Sequence, residues 1–217
     1  VHCSYKIYAG TREKQVSFMM KVIRPKTDGK VPAVVCGDLC WGYSHDKDYV
    51  SEFTDNGIAL VLFNRTELAH DIQNEGRRQG AHYNVYSDYD FGALGAWAWG
   101  YSRCVDALET FDYIDMSCIT FTGHSRGAKT AMLAGVLDER AAIVNPNETN
   151  AGSCSCYRIH MKAICEDGVE RRSETLADLS KNFSFWIGTE MPKYAENEAA
   201  LPFDCHFLKA LVAPRKL

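Results

Sequence analysis

A doubly wound α/β fold is what this sequence predicts, and three observations predict it. Short, continuous apolar runs of strand length recur along the chain. Longer runs with apolar residues at helical spacing fall between them. One strand-like run meets one helix-like run directly across Gly123-His124-Ser125-Arg126-Gly127. Runs that are apolar throughout suit strands covered on both faces, hence a mostly parallel sheet flanked by helices.

The elements follow in order. Residues 15–23 alternate polar with apolar and stop at Arg24-Pro25, as a strand with one wet face would. Residues 31–36, 58–63, 119–122, 141–144 and 208–213 are the short apolar runs, each read as a strand. Residues 47–55 read as a helix that stops at Asn56-Gly57. Residues 91–111 carry Leu94, Trp97, Ala98, Tyr101, Val105 and Leu108 at helical spacing, and residues 128–137 form a third helix. Between residues 64 and 90 lies a long polar stretch holding Arg65, Glu67, His70, Asp71, Arg77, Arg78 and His82. A loop of that length is usually functional.

Bulk properties narrow the class. The 217 residues fit one domain with a full core, and 46% hydrophobic with 24% charged residues is an ordinary globular composition. A net charge of −4 offers no basic face for nucleic acid. No apolar run reaches the roughly 18 residues that span a bilayer. The chain starts at Val1 and stops at Leu217 just after an apolar run, so the sheet is expected to be incomplete at both ends, a fragment of a longer chain. Nine cysteines, an odd number scattered through apolar runs, favour free thiols and slightly favour the cytoplasm. The missing native N-terminus leaves an extracellular protein open. Oligomeric state is not encoded in any of these features.

Gly-x-Ser-x-Gly between a strand and a helix is the nucleophile elbow of an α/β-hydrolase. The turn is tight, and glycines on both sides of the serine relieve its crowding. The serine then stands above the carboxyl ends of the strands, with the next backbone N–H aimed at a developing oxyanion. Ser125 needs a base and an acid, in the order serine, acid, histidine. Glu148, just past the 141–144 run, fits the acid by position, against the alternative of a solvated loop glutamate. Of seven histidines only His160 and His206 follow it, and both are read as structural. His124, next to the serine on a tight turn, cannot easily reach back. Arg126 and Lys129 put two cations at a helix start, where positive charge is disfavoured. That hints at oxyanion support from Arg126 and a substrate contact from Lys129. Cys154, Cys156, His160 and Cys165 crowd together, but their spacing matches no common zinc knuckle, and no metal is expected.

The run Gly123-His-Ser-Arg-Gly-Ala-Lys129 resembles the signature of the glucuronoyl esterases, carbohydrate esterase family fifteen. The family motif is Gly-x-Ser-Arg-x-Gly-Lys. Here Gly127 comes one place early and Ala128 stands at the family's second glycine, while Ser125, Arg126 and Lys129 fall in register. Gly95-Ala-Trp-Ala-Trp-Gly-Tyr-Ser-Arg103, Cys156-Tyr-Arg158, Asn182-Phe-Ser-Phe-Trp186 and Leu201-Pro-Phe-Asp-Cys-His206 through Ala213-Pro-Arg215 are similar to further landmarks. The resemblance covers most of the chain from about Val31 onward. It implies an ester hydrolase acting on glucuronoxylan or a small glucuronate ester, without metal or organic cofactor. Ser125 would be the nucleophile and Glu148 the acid. Arg126 would stabilise the oxyanion, and Lys129 and Glu174 would contact the sugar. The family's catalytic histidine follows the Ala-Pro-Arg landmark by some tens of residues, so these 217 residues alone are expected to be inactive. Two other readings remain: an acetyl-xylan or general carboxylesterase, and a non-catalytic carbohydrate-binding remnant.

Overall fold

The computed structural model describes residues 1–73 and 77–217. A six-stranded sheet runs in the order β1-β2-β4-β3-β5-β6. Its strands are β1 (His2–Gly10), β2 (Gln15–Ile23), β3 (Val31–Cys36), β4 (Ala59–Phe63), β5 (Ile114–His124) and β6 (Ile143–Asn147). β1, β2 and β4 pair antiparallel. β4, β3, β5 and β6 pair parallel, which brings the carboxyl ends of these four strands to one edge. β1 alternates exposed with half-buried residues, because only one of its faces is covered.

The continuous apolar strands are covered on both sides, as their composition requires. Val31, Ala33, Val35, Ala59, Val61 and Phe63 face α3 (Ala93–Leu108) and α4 (Arg126–Leu137). Val34, Cys36, Leu60 and Leu62 face α1 (Lys47–Thr54) through Tyr49, Val50 and Phe53. α1 begins under Asp46, whose carboxylate accepts from the N–H groups of Asp48 and Tyr49. Tyr101 of α3 is a buried strut between two strand ends: its hydroxyl accepts from Gly37 N–H at 3.0 Å and donates to Thr122 O at 2.7 Å.

The segment 64–90 is shorter on irregularity than its composition suggests. It contains a 3₁₀ turn at Arg65–Glu67 and the short helix α2 (Ala81–Val85); its residues 74–76 lie outside those described. Past β6 come a small hairpin, β7 (Lys162–Ile164) with β8 (Glu170–Arg172), then α5 (Leu176–Asn182) and α6 (His206–Val212). α5 starts with a capping box between Thr175 and Asp178.

One expected element is wrong. Residues 208–213 do not form a strand; residues 208–212 belong to α6 and Ala213 caps its end. Cys205 and Val212 are buried and Leu208 is half-buried, while the residues between them are exposed. That is a helical stripe, and a short apolar run does not by itself distinguish helix from strand. The contact with the edge of the sheet comes later, as a single parallel bridge between Ile143 and Lys216.

A buried histidine gives a stability test. His82 on α2 packs against Tyr86, Phe91 and Trp99. Burial pushes its pKa down from 6.5 to about 4. The unfolded chain therefore takes up a proton where the folded chain does not, and stability drops as pH falls from about 6.5 toward about 4. Urea unfolding across that window should show the decline, and His82→Phe should flatten part of it.

Candidate active site

The β5–α4 joint is the sharp turn that the Gly-x-Ser-x-Gly pattern demands. Ser125 sits at φ 55°, ψ −113°, a conformation that costs an ordinary residue energy and persists only under tight surroundings. Those surroundings are visible. Ser125 N–H donates to Asn147 O of β6 at 3.0 Å, and Ser125 O accepts from Ala128 and Lys129 N–H. A side chain at Gly123 would run into the backbone of Gly127.

Beneath the turn lies Asp38, fully buried just past the end of β3. It accepts from His124 N–H at 2.7 Å and from the Tyr43 hydroxyl at 2.6 Å, and its other oxygen pairs with the buried guanidinium of Arg65. Burial, reinforced by Cys36 and Asp38, pushes the Tyr43 hydroxyl far up, so it stays a donor. Burial alone would lower the Arg65 pKa, but Asp38 and Asp71 outweigh it and keep the guanidinium charged. A methyl group at position 127 would land inside the Asp38 carboxylate. Gly127→Ala should therefore lose about 1–3 kcal/mol in chemical denaturation, the usual range for overpacking, and lower any activity of Ser125 with it.

Arg65 also reaches Asp71 at 3.3 Å, and Asp71 in turn accepts from Arg126 Nη1 at 2.9 Å and Trp186 Nε1 at 3.3 Å. The Arg126 guanidinium lies 4.9 Å from the Trp186 ring centre, and Trp186 stacks on Phe183 at 4.0 Å. Three acid–base links, Asp38–Arg65, Arg65–Asp71 and Asp71–Arg126, thus run from under the serine to the residue beside it.

All five residues expected at the site meet here. Ser125, Arg126, Lys129, Glu148 and Glu174 line one cavity of about 370 Å³, walled by Phe183 and Trp186. Lys129 is buried and donates to Glu174 at 2.7 Å and to the Ala151 carbonyl. Its charge is therefore already matched before any ligand arrives. Glu148 follows β6 directly, at φ 49°, with its carboxylate 79% exposed and 3.6 Å from His124 Nε2. An exposed carboxylate leaves room for a further partner. No histidine is among the described residues lining this cavity. His124 faces an adjoining one with Tyr43 and Tyr49. His160 pairs with Glu198 at 2.5 Å, and His206 lies 3.6 Å from the Cys156 thiol.

The cysteine-rich stretch does not gather as a set. Among the described residues, Cys156 groups instead with Asp204 and His206, whose donor atoms lie within 4.8 Å of one another. The Asp204 carboxylate is already taken by the N–H groups of Tyr157, Arg158 and Cys205. It holds backbone rather than offering an open ligand. The nine cysteines are free thiols.

Comparison with known proteins places this geometry. The model of a family described as "Glucuronyl esterase, fungi" matches residues 7–217. The chain belongs to the fungal glucuronyl esterase family. Among curated relatives, a 4-O-methyl-glucuronoyl methylesterase of Hypocrea jecorina is 34% identical over 217 residues, 97% of this chain and 44% of the relative. A 4-O-methyl-glucuronoyl methylesterase 1 of Sodiomyces alcalophilus is 37% identical over 166 residues, 75% of this chain and 32% of the relative. This chain thus spans less than half the length of either. The solved glucuronoyl esterase catalytic domain of Hypocrea jecorina superposes with a TM-score of 0.78 at 31% identity, over 98% of this chain and 56% of that one. A family 15 glucuronoyl esterase from Caldicellulosiruptor kristjansonii gives 0.81 at 28% identity, over 99% and 62%. The glucuronyl esterase fold is an α/β-hydrolase fold, and the mostly parallel sheet described above is its core.

Asp38, Arg65 and Asp71 are parts of this candidate site that pattern reading did not single out. Asp38 had one signal, an acid placed immediately after a fully apolar strand. Arg65 and Asp71 were visible only as members of the long polar stretch.

Proposed function

We propose that this chain carries the nucleophile half of a serine esterase that cleaves glucuronoyl esters of xylan. The observation that carries the reading is the convergence of Ser125, Arg126, Lys129, Glu148 and Glu174 on one cavity above the strand ends. The relatives named above are glucuronoyl methylesterases. A serine-to-alanine mutant of the Sporotrichum thermophile glucuronoyl esterase was solved with methyl 4-O-methyl-β-D-glucopyranuronate. These support a 4-O-methyl-glucuronate ester as substrate here.

In this reading Ser125 Oγ attacks the ester carbonyl as its proton passes to a histidine base. The tetrahedral oxyanion collects the Arg126 N–H, the first of α4, and the Arg126 guanidinium. Collapse expels the alcohol, which takes the proton from the imidazolium, and leaves an acyl-serine. Water, deprotonated by the same imidazole, then attacks the acyl carbon, and the serine leaves with the proton. Glu148 orients the imidazole and offsets its transient charge. Lys129 and Glu174 face sugar hydroxyls as a paired donor and acceptor. No histidine lines the cavity among the described residues, so this reading needs a further residue as base and expects the 217 residues by themselves not to turn over.

The test sets a glucuronate methyl ester beside an acetylated xylan, both offered to the protein together with its downstream sequence. Faster release of methanol than of acetate is expected. Preference for the acetyl ester would move the assignment to an acetyl-xylan esterase, and binding of glucuronoxylan without turnover of either would leave a carbohydrate-binding protein.

A further inference from the structure

A guanidinium that meets a developing oxyanion has to stand in one place beforehand. Arg126 is a long side chain, 30% exposed, with rotamer freedom to lose before it can do so. Its Nη1 donates to Asp71 Oδ1 at 2.9 Å, and its Nε is buried with no hydrogen-bond partner among the described residues. The guanidinium carbon lies 4.9 Å from the Trp186 ring centre and 5.5 Å from that of Phe183. The rings limit where the group can go, and among the described residues Asp71 is its one charged anchor.

Asp71 suits that task because it is itself held. Its carboxylate is 8% exposed. Oδ2 accepts from Arg65 Nη2 at 3.3 Å, and Arg65 is buried and paired with the buried Asp38 just past β3. Oδ1 also accepts from Trp186 Nε1. A bare carboxylate this near the nucleophile would oppose negative charge on a substrate. Here two acids and two guanidinium groups balance, so the cavity receives a placed N–H donor rather than a loose cation. A fixed donor needs no reorganisation as charge develops.

We propose that Asp71 is a positioning residue for the reaction, fixing the Arg126 guanidinium at the wall of the serine cavity where the substrate's oxyanion forms. The inference rests on the esterase reading above and adds to it the residue on which the contribution of Arg126 depends. Asp71 touches no reacting atom and acts only through Arg126.

The protein together with its downstream sequence is assayed on a glucuronate methyl ester. Asp71→Asn keeps the size of the side chain and removes its charge. It should lower kcat roughly ten- to a hundredfold, less than the loss of a whole oxyanion donor, and leave KM within about twofold. In an Arg126→Ala background the same substitution should cost less than about twofold, because the group it positions is gone. An equal loss of kcat with and without Arg126 would overturn the proposal, since Asp71 would then act through the fold alone. A kcat within about twofold of the parent would overturn it too. Asp71→Glu, which keeps a charge for Arg65 and displaces it by a methylene, completes the same cycle if Asp71→Asn does not fold. Nitrogen NMR of the Arg126 side chain gives a readout without turnover. Pairing at Nη1 hinders rotation of the guanidinium, so Nη1 and Nη2 should give separate signals in the parent and a merged one in Asp71→Asn. A merged signal in the parent would overturn the proposal. A parent that hydrolyses no glucuronate ester would sink the esterase reading, and the NMR signals would still decide whether Asp71 fixes Arg126.

Discussion

Ser125→Ala, made in the protein together with its downstream sequence, will reduce hydrolysis of a glucuronate methyl ester by about 10⁴–10⁶-fold, the scale on which loss of a serine nucleophile is felt. The expectation rests on the turn rather than on the motif. Ser125 holds φ 55° because Asn147, Ala128 and Lys129 fix its backbone, and none of those bonds involves the side chain. Alanine carries the same Cβ, so the conformation costs it no more than it costs serine. The unfolding free energy should then stay within about 0.5 kcal/mol of the parent. A large activity loss with unchanged stability separates chemistry from folding. Activity reduced by less than tenfold would remove Ser125 from the mechanism.

Asp38→Ala should be the most destabilising single change near the site. The carboxylate is fully buried and holds three groups: Arg65, the Tyr43 hydroxyl and His124 N–H. Removing one partner of a buried ion pair leaves the other charge uncompensated, at about 3–5 kcal/mol. Asp71, 3.3 Å from Arg65 and already engaged by Arg126 and Trp186, is placed to compensate only in part. The double variant Asp38→Leu with Arg65→Met should recover a good share of the loss, because two apolar side chains strand no charge. Chemical denaturation of the three proteins would show it. A single variant that unfolds within 1 kcal/mol of the parent would mean that Arg65 finds compensation elsewhere.

The sheet was legible because its strands advertise themselves. Val31–Cys36 and Ala59–Phe63 are apolar on both faces, and that pattern has few uses outside a covered parallel sheet. The elbow was legible for a local reason: a glycine on either side of a serine between strand and helix satisfies one tight turn. The lining of the cavity was legible as far as it lies close to that turn, in Arg126 and Lys129. Glu148 needed the parallel pairing of β6 beside β5 to be certain of its place, and only coordinates supply that register. Residues 208–213 misled because six apolar-rich residues fit either period, and packing of Cys205, Leu208 and Val212 decided for the helix. Asp38, Arg65 and Asp71 were illegible as a group, since their meaning is a spatial chain linking positions far apart in sequence.

That chain has a consequence for motion. Asp71 grips Arg126 and the Trp186 indole with the same oxygen, so the rim segment 183–187, with its 3₁₀ turn, and the neighbour of the nucleophile share one latch. Lifting the rim exposes an aromatic ring and frees a cation in the same event. Amide exchange at the rim and at the first turn of α4 should therefore proceed at one common rate, as a single opening unit.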